Sequence, residues 1–142
     1  MNVSDMIERV LFSAEDIERR VRKLGAEISS TYHGPSGASS QPPLLVVGLL
    51  KGALPFMADL IRAIDVPLEY DFISVSSYEH GTIPGEVRVL KDLDRPLAGR
   101  HLLIVEDIVD TGHTLQHITR RLLAREPASI KVCTLLDKPQ RR

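Results

Sequence analysis

Apolar residues fall along this chain in short blocks of two kinds. Leu44-Leu45-Val46-Val47-Gly48-Leu49-Leu50 and Leu102-Leu103-Ile104-Val105 are unbroken runs. Runs of that length, rich in branched side chains, suit strands covered on both faces. Elsewhere apolar residues recur at three- and four-residue steps. Ile17, Val21, Leu24 and Ile28 make one such stripe, Phe56, Leu60, Ile61 and Ile64 a second, and Leu115, Ile118, Leu122 and Leu123 a third. Each predicts the buried side of a helix. Ser13 reads as the N-cap of the first helix, with Glu15 and Asp16 where the helix dipole favours negative charge. Glu15 with Arg19, and Glu18 with Arg22, stand four apart on its outer face. Pro55 lies near the start of the second helix, and the third ends before Pro127.

The remaining strands alternate. Leu68 to Ser76 places Tyr70, Phe72 and Ser74 on one face, and Ile73 and Val75 on the other. Glu86 to Lys91 is predicted to be its hairpin partner. Ile130 to Leu136 is the last strand, and Met6 to Phe12 alternates weakly enough to read as a short one. His33 to Pro43 holds Gly, Ser and Pro with little to bury, as a surface loop does. Strands alternating with helices predict an α/β fold: a twisted, mainly parallel sheet with helices on both faces.

Composition narrows the class. The chain has 142 residues, enough for one domain with a real core. Hydrophobic residues make up 43%, which excludes a disordered chain. A net charge of -1 argues against whole-surface affinity for nucleic acid or anionic lipid. The longest apolar block is too short to span a bilayer. The N-terminus, with Asp5 and Glu8, lacks the layout of a signal peptide. Cys133 is the single cysteine, so no internal disulfide and no Cys-based metal site is expected. It reads as a small core residue. A reducing cytoplasm fits these features.

Candidate chemistry follows the predicted strands. After Leu102 to Val105 come two adjacent carboxylates, Glu106 and Asp107, then Ile108-Val109-Asp110-Thr111-Gly112-His113-Thr114. Burying both carboxylates unpaired would cost roughly several kcal/mol each, so they belong at an open strand end, near water or a cation. Gly112 permits close backbone approach, and hydroxyls with free N–H groups at a helix start suit a phosphate. Donors for a phosphate beside carboxylates for a metal suggest a metal-chelated sugar phosphate or nucleotide. Lys51-Gly52 directly follows the first buried strand, where open α/β sheets place ligand contacts. From the residues alone it is equally a plain turn with a solvated Lys. Neither a Gly-x-Gly-x-x-Gly nor a Gly-rich P-loop ending in Lys-Ser/Thr occurs, which lowers dinucleotide and ATPase readings.

The stretch Leu102 to Thr114 resembles the phosphoribosyl-diphosphate signature of the type I phosphoribosyltransferases. Its Glu-Asp start, with Asp137-Lys138-Pro139 later, is similar to the hypoxanthine-guanine branch. The likeness runs from about Leu44 to Arg142. It implies the family's fold with a partial hood, purine salvage from hypoxanthine or guanine, and Mg²⁺. It also implies a homo-oligomer, dimer or tetramer, with no membrane or nucleic-acid partner. By the same resemblance Lys51 and Gly52 bind pyrophosphate, often with a non-proline cis peptide before the Lys. Glu106 and Asp107 meet the ribose hydroxyls and the metal. Ile108, Val109, Thr111, Gly112, His113 and Thr114 surround the 5′-phosphate, and Asp110 is the candidate base at purine N7. Lys138 donates to the purine's exocyclic oxygen, and Arg142 contacts pyrophosphate. Ser77 and Tyr78 open a lid running to Gly85 that excludes water.

Two rivals stand beside this reading. One is a transferase for xanthine or another base. The other is a phosphoribosyl-diphosphate sensor that binds nucleic acid, for which Arg120, Arg121 and Arg125 would be the contact. The resembling family continues past Lys-Pro-x-Arg-Arg, adding an aromatic side chain that stacks on the purine and an Asp for a second metal. No aromatic residue follows Tyr78 here. The expectation is a single domain over 1–142 belonging to a longer protein.

Overall fold

The unbroken apolar block Leu44–Leu50 is strand β1, with the predicted boundaries, and six of its seven residues are buried. A helix α1 (Ala14–Thr31) precedes it. Helix α2 (Leu54–Ala63), strands β2 (Leu68–Ser77), β3 (Val87–Lys91) and β4 (His101–Val109), helix α3 (His113–Leu123) and strand β5 (Ser129–Asp137) follow. The computed structural model describes residues 2–34, 41–77 and 87–141. Their strands form one sheet in the order β3-β2-β1-β4-β5. β1 runs parallel to β2 and β4, β4 runs parallel to β5, and β3 is antiparallel to β2.

The period of two along each central strand divides the core into two layers. Leu44 and Val46 of β1, with Leu103 and Val105 of β4, face Val21, Leu24 and Ile28 of α1 and Phe56, Met57 and Leu60 of α2. Leu45, Val47 and Leu49, with Leu102 and Ile104, face Ile118 and Leu122 of α3 on the other side. Helices therefore cover both faces, as predicted. Cys133 lies in the first layer, where burial pushes its thiol up to about 11. No helix among the described residues is long and apolar enough to cross a membrane.

Ser13 caps α1 as expected. Its hydroxyl accepts from the Asp16 N–H at 3.0 Å, and the Asp16 carboxylate accepts from the Ser13 N–H at 3.1 Å. Four sequence expectations need correction. Ile17, at the first turn of α1, is 37% exposed rather than part of its buried stripe. Met6 to Phe12 is not a strand: Val3–Met6 is a 3₁₀ turn, and residues 7–12 have no regular structure. All seven side chains are exposed, so the weak alternation corresponds to no buried face. Leu123 is 55% exposed rather than part of the α3 stripe. Steps of three and four from Leu115 reach Ile118 and Leu122, and the next residue is turned away by about 100°. Arg19 pairs with Asp16 at 3.4 Å instead of with Glu15, whereas Arg22 does reach Glu18 at 3.8 Å.

Candidate active site

The chain passes from β1 to β2 on one side and later from β4 to β5 on the other. The order of strands thus reverses between β1 and β4. A crevice opens there, at the carboxyl ends of two parallel neighbours. Lys51 and Gly52 leave the end of β1, and the Leu50–Lys51 peptide is cis, as the resemblance implied. Asp137 and Lys138 lie at the end of β5.

The acidic segment is built differently from the predicted strand-then-turn. β4 does not stop at Val105 but runs to Val109, so Glu106, Asp107, Ile108 and Val109 belong to the strand. The reason is its neighbours. The register with β1 ends at Gly48 opposite Val105, while the register with β5 continues to Val109 opposite Asp137. β4 therefore runs four residues past its last pairing with β1, and two past the level of Leu50 where β1 ends, with β5 paired along one edge and the other edge unpaired with β1. The Lys51-Gly52 turn approaches that edge. A methyl group built on Gly52 would lie 3.0 Å from Asp107 Oδ2.

The carboxylate pair is electrostatically crowded. Burial, with Asp107 alongside, pushes the Glu106 carboxyl up to about 7. Beyond the strand, Gly112 adopts φ 83°, the left-handed conformation that favours glycine, and hands the chain into α3. Its carbonyl accepts the first helical bond from Gln116 N–H at 2.9 Å. The His113 N–H makes a long contact, 3.4 Å, to Thr111 Oγ1. Glu106, residues 108–112, Thr114 and Leu115 line a cavity of about 140 Å³. A larger cleft of about 630 Å³ lies between α1 and α2, but none of its lining residues belongs to these turns.

The structure thus brings Lys51, Gly52, Glu106, Asp107, Ile108, Val109, Asp110, Thr111, Gly112, His113, Thr114 and Lys138 to one edge of the sheet. Ser77 ends β2, whereas Tyr78, the rest of the lid to Gly85, and Arg142 lie outside the described residues. Arg141 was not anticipated. Its Nε donates to Asp110 Oδ1 at 2.9 Å. The Lys-Pro-x-Arg-Arg stretch carries two arginines, and the resemblance points to Arg142 rather than Arg141. Two members of the basic cluster have structural partners. Arg121 and Arg125 reach the Asp92 carboxylate at 3.0 and 3.3 Å, and Arg125 also donates to Arg95 O at 2.9 Å. These contacts tie α3 to the segment after β3, and they weaken the case for a nucleic-acid surface there.

Comparison with known proteins agrees with this geometry. A family model described as the phosphoribosyl transferase domain matches residues 11–142. The chain is 50% identical over 137 residues to the hypoxanthine-guanine phosphoribosyltransferase of Bacillus subtilis, covering 96% of this chain and 72% of that protein. It is 48% identical over 134 residues to the hypoxanthine phosphoribosyltransferase of Haemophilus influenzae, covering 94% and 73%. A crystal structure of a hypoxanthine phosphoribosyltransferase from Staphylococcus aureus superposes with a TM-score of 0.86 at 42% identity, covering 100% of this chain and 76% of that one. The corresponding enzyme of Trypanosoma cruzi, in complex with the product IMP, gives 0.84 at 40% identity, covering 95% and 73%. On sequence, fold and the arrangement of this sheet edge, the chain belongs to the phosphoribosyltransferase family.

Proposed function

We propose that this chain joins hypoxanthine or guanine to 5-phosphoribosyl 1-diphosphate, giving IMP or GMP and diphosphate. One observation carries the reading. Adjacent carboxylates stand on the part of β4 past its pairing with β1, with Gly52 against Asp107 and the left-handed Gly112 turn following the strand. The purine is supported by the relatives, whose names specify hypoxanthine or guanine and one of which is bound to IMP.

The chemistry separates charge. Diphosphate departs strongly negative and the ribose carbon becomes cationic. Glu106 and Asp107 accept hydrogen bonds from the ribose hydroxyls, and their charge favours the ribosyl cation. Thr111, Gly112 and Thr114, with the amides of Ile108, Val109 and His113, take the 5′-phosphate at the start of α3. Lys51 and Gly52 take the diphosphate, joined by Arg142. Lys138 donates to the oxygen on purine C6. Asp110 accepts the N7 proton as N9 bonds to the sugar. Ser77 and Tyr78 begin the segment that closes over the sugar.

Mg²⁺ takes one or two carboxylates and completes its shell with waters and substrate oxygens. Glu106 and Asp107 fit that demand. The raised Glu106 carboxyl reflects a charge cost at this pair, which a divalent cation offsets. Bound there, the ion would neutralise charge on the departing diphosphate. The same reading places the protein in the cytoplasm, as a dimer or tetramer.

Formation of IMP from hypoxanthine and 5-phosphoribosyl 1-diphosphate tests the proposal. Rates with guanine, xanthine and adenine then establish the preferred base. No nucleotide from any of these bases, with nucleic-acid binding that weakens steeply with salt, would replace it by the sensor reading.

A further inference from the structure

We infer that Arg141 is a positioning residue for Asp110, holding the carboxylate in the orientation that receives the purine proton. The inference rests on the role given to Asp110 in the proposed reaction. Its basis is a chain of backbone contacts that leaves Arg141 little choice of place. β4 and β5 remain in register to their last residues, Val109 opposite Asp137. The Lys138 N–H then donates to Val109 O at 2.9 Å, and the Arg141 N–H closes a 3₁₀ turn onto Lys138 O at 3.1 Å. From that turn the Arg141 Nε donates to Asp110 Oδ1 at 2.9 Å.

The contact contributes little to stability. The two side chains are 63% and 46% exposed, and pairs of that kind add little to a fold. Its place gives it a different value. Asp110 follows the last residue of β4 and precedes the turn proposed to hold the phosphate. A base must meet its proton at hydrogen-bond distance and angle, and catalytic bases are commonly oriented by a third group. Arg141 supplies such a group from the same β5 extension that carries Lys138. The two residues proposed to read the purine, at N7 and at C6, are thereby referenced to one short turn.

Steady-state kinetics of Arg141→Ala, Arg141→Lys, Asp110→Asn and the Asp110→Asn/Arg141→Ala double variant test this. Arg141→Ala should lower kcat about three- to fivefold, the range an exposed ion pair can supply. Its Tm should match the wild type, and its KM for phosphoribosyl diphosphate should stay within about twofold. Arg141→Lys should recover part of the loss. In the Asp110→Asn background, removal of Arg141 should cost nothing further, because the group it orients is already disabled. An additive loss in the double variant, an unchanged kcat in Arg141→Ala, or a lower purine KM would overturn the inference. The last outcome would mark Arg141 as a competitor of the purine. Near wild-type turnover in Asp110→Asn would instead remove the premise, a result distinguishable because it appears in the single variant of the base.

Discussion

Replacing Gly52 by Ala separates the stability of this fold from the working of its site. The new Cβ would lie 3.0 Å from Asp107 Oδ2 and 3.3 Å from both Cγ and Oδ1, against about 3.4 Å for an ordinary contact. A shift of a few tenths of an ångström is required. Gly52 is not in the left-handed region, so Ala can adopt its backbone. That gains about 0.4–1 kcal/mol by restricting the unfolded chain. The group that must yield is the end of a flexible side chain, and turning it off its rotamer costs about 0.5–1.5 kcal/mol. The terms are similar in size and opposite in sign, so Tm should stay within about 3 °C. At the site they do not cancel, because Asp107 is displaced from the proposed ribose and metal contacts. A misplacement of 1 Å can cost about 10²-fold, so this smaller one should lower kcat/KM for phosphoribosyl diphosphate about three- to tenfold. Differential scanning calorimetry and initial rates of IMP formation provide the two readings. Unchanged kinetics would refute the functional approach of the Lys51-Gly52 turn to Asp107. A large fall in Tm would show that Asp107 cannot move.

Other substitutions probe different links. Gly25→Ala should lower stability by about 1–2 kcal/mol in urea titration, because its Cβ would fall 2.4 Å from Ala63 O, a backbone atom of α2. Overpacking of about 1–3 kcal/mol then outweighs a helix-propensity gain of about 1 kcal/mol, and a stabilised variant would disprove the close approach of α1 to α2. Glu106→Gln, unfolded in the presence of a chelator, should gain about 1–2 kcal/mol above pH 7 and nothing near pH 4.5, after allowance for partial exposure. The sign follows from the folded carboxyl being raised from 4.5 to about 7: wild-type stability is full below the unfolded value and is lost as pH rises through the folded one. Parallel pH profiles for the two proteins would contradict it. Lys138→Ala should erode the preference for 6-oxopurines over adenine, since an ammonium only donates and leaving it unpaired costs about 1–3 kcal/mol. An unchanged ratio of rates would assign that discrimination to another group.

How much of this was legible in the residues depended on whether the information was local. The bounds of β1 follow from an apolar block enclosed by a loop and a Lys-Gly pair. The start of α1 follows from Ser13 and Asp16, three residues apart, each satisfying the other's backbone N–H. The end of β4 could not be read that way. Glu106 and Asp107 look like the close of a strand, and they are extended only because β5 lies alongside them to Asp137. The same dependence hid the Arg141 contact, which needs that register and the turn after it. The Glu106 carboxyl is raised first by burial, a property of the packed site that the sequence does not display, and then by Asp107 beside it.

The treatment of helix N-termini points to the same edge of the sheet. At the start of α1 a Ser and an Asp satisfy two N–H groups reciprocally, as a helix built only for stability requires. At α2 and α3 the cap positions are Ala53 and Gly112, which have no polar side chain to offer. Both helices begin directly after the turns at the carboxyl ends of β1 and β4. Each therefore presents the positive end of its dipole where the two central strands finish, although at α2 the Leu54 N–H already donates to Lys51 O at 3.2 Å and Pro55 has no N–H. Between those ends stands the carboxylate pair. An edge that alternates donors for anions with carboxylates for a cation or hydroxyls accords with the proposed ligand, a sugar carrying phosphates at both ends. A side-chain cap at the start of α3 would compete with that ligand for the same N–H groups.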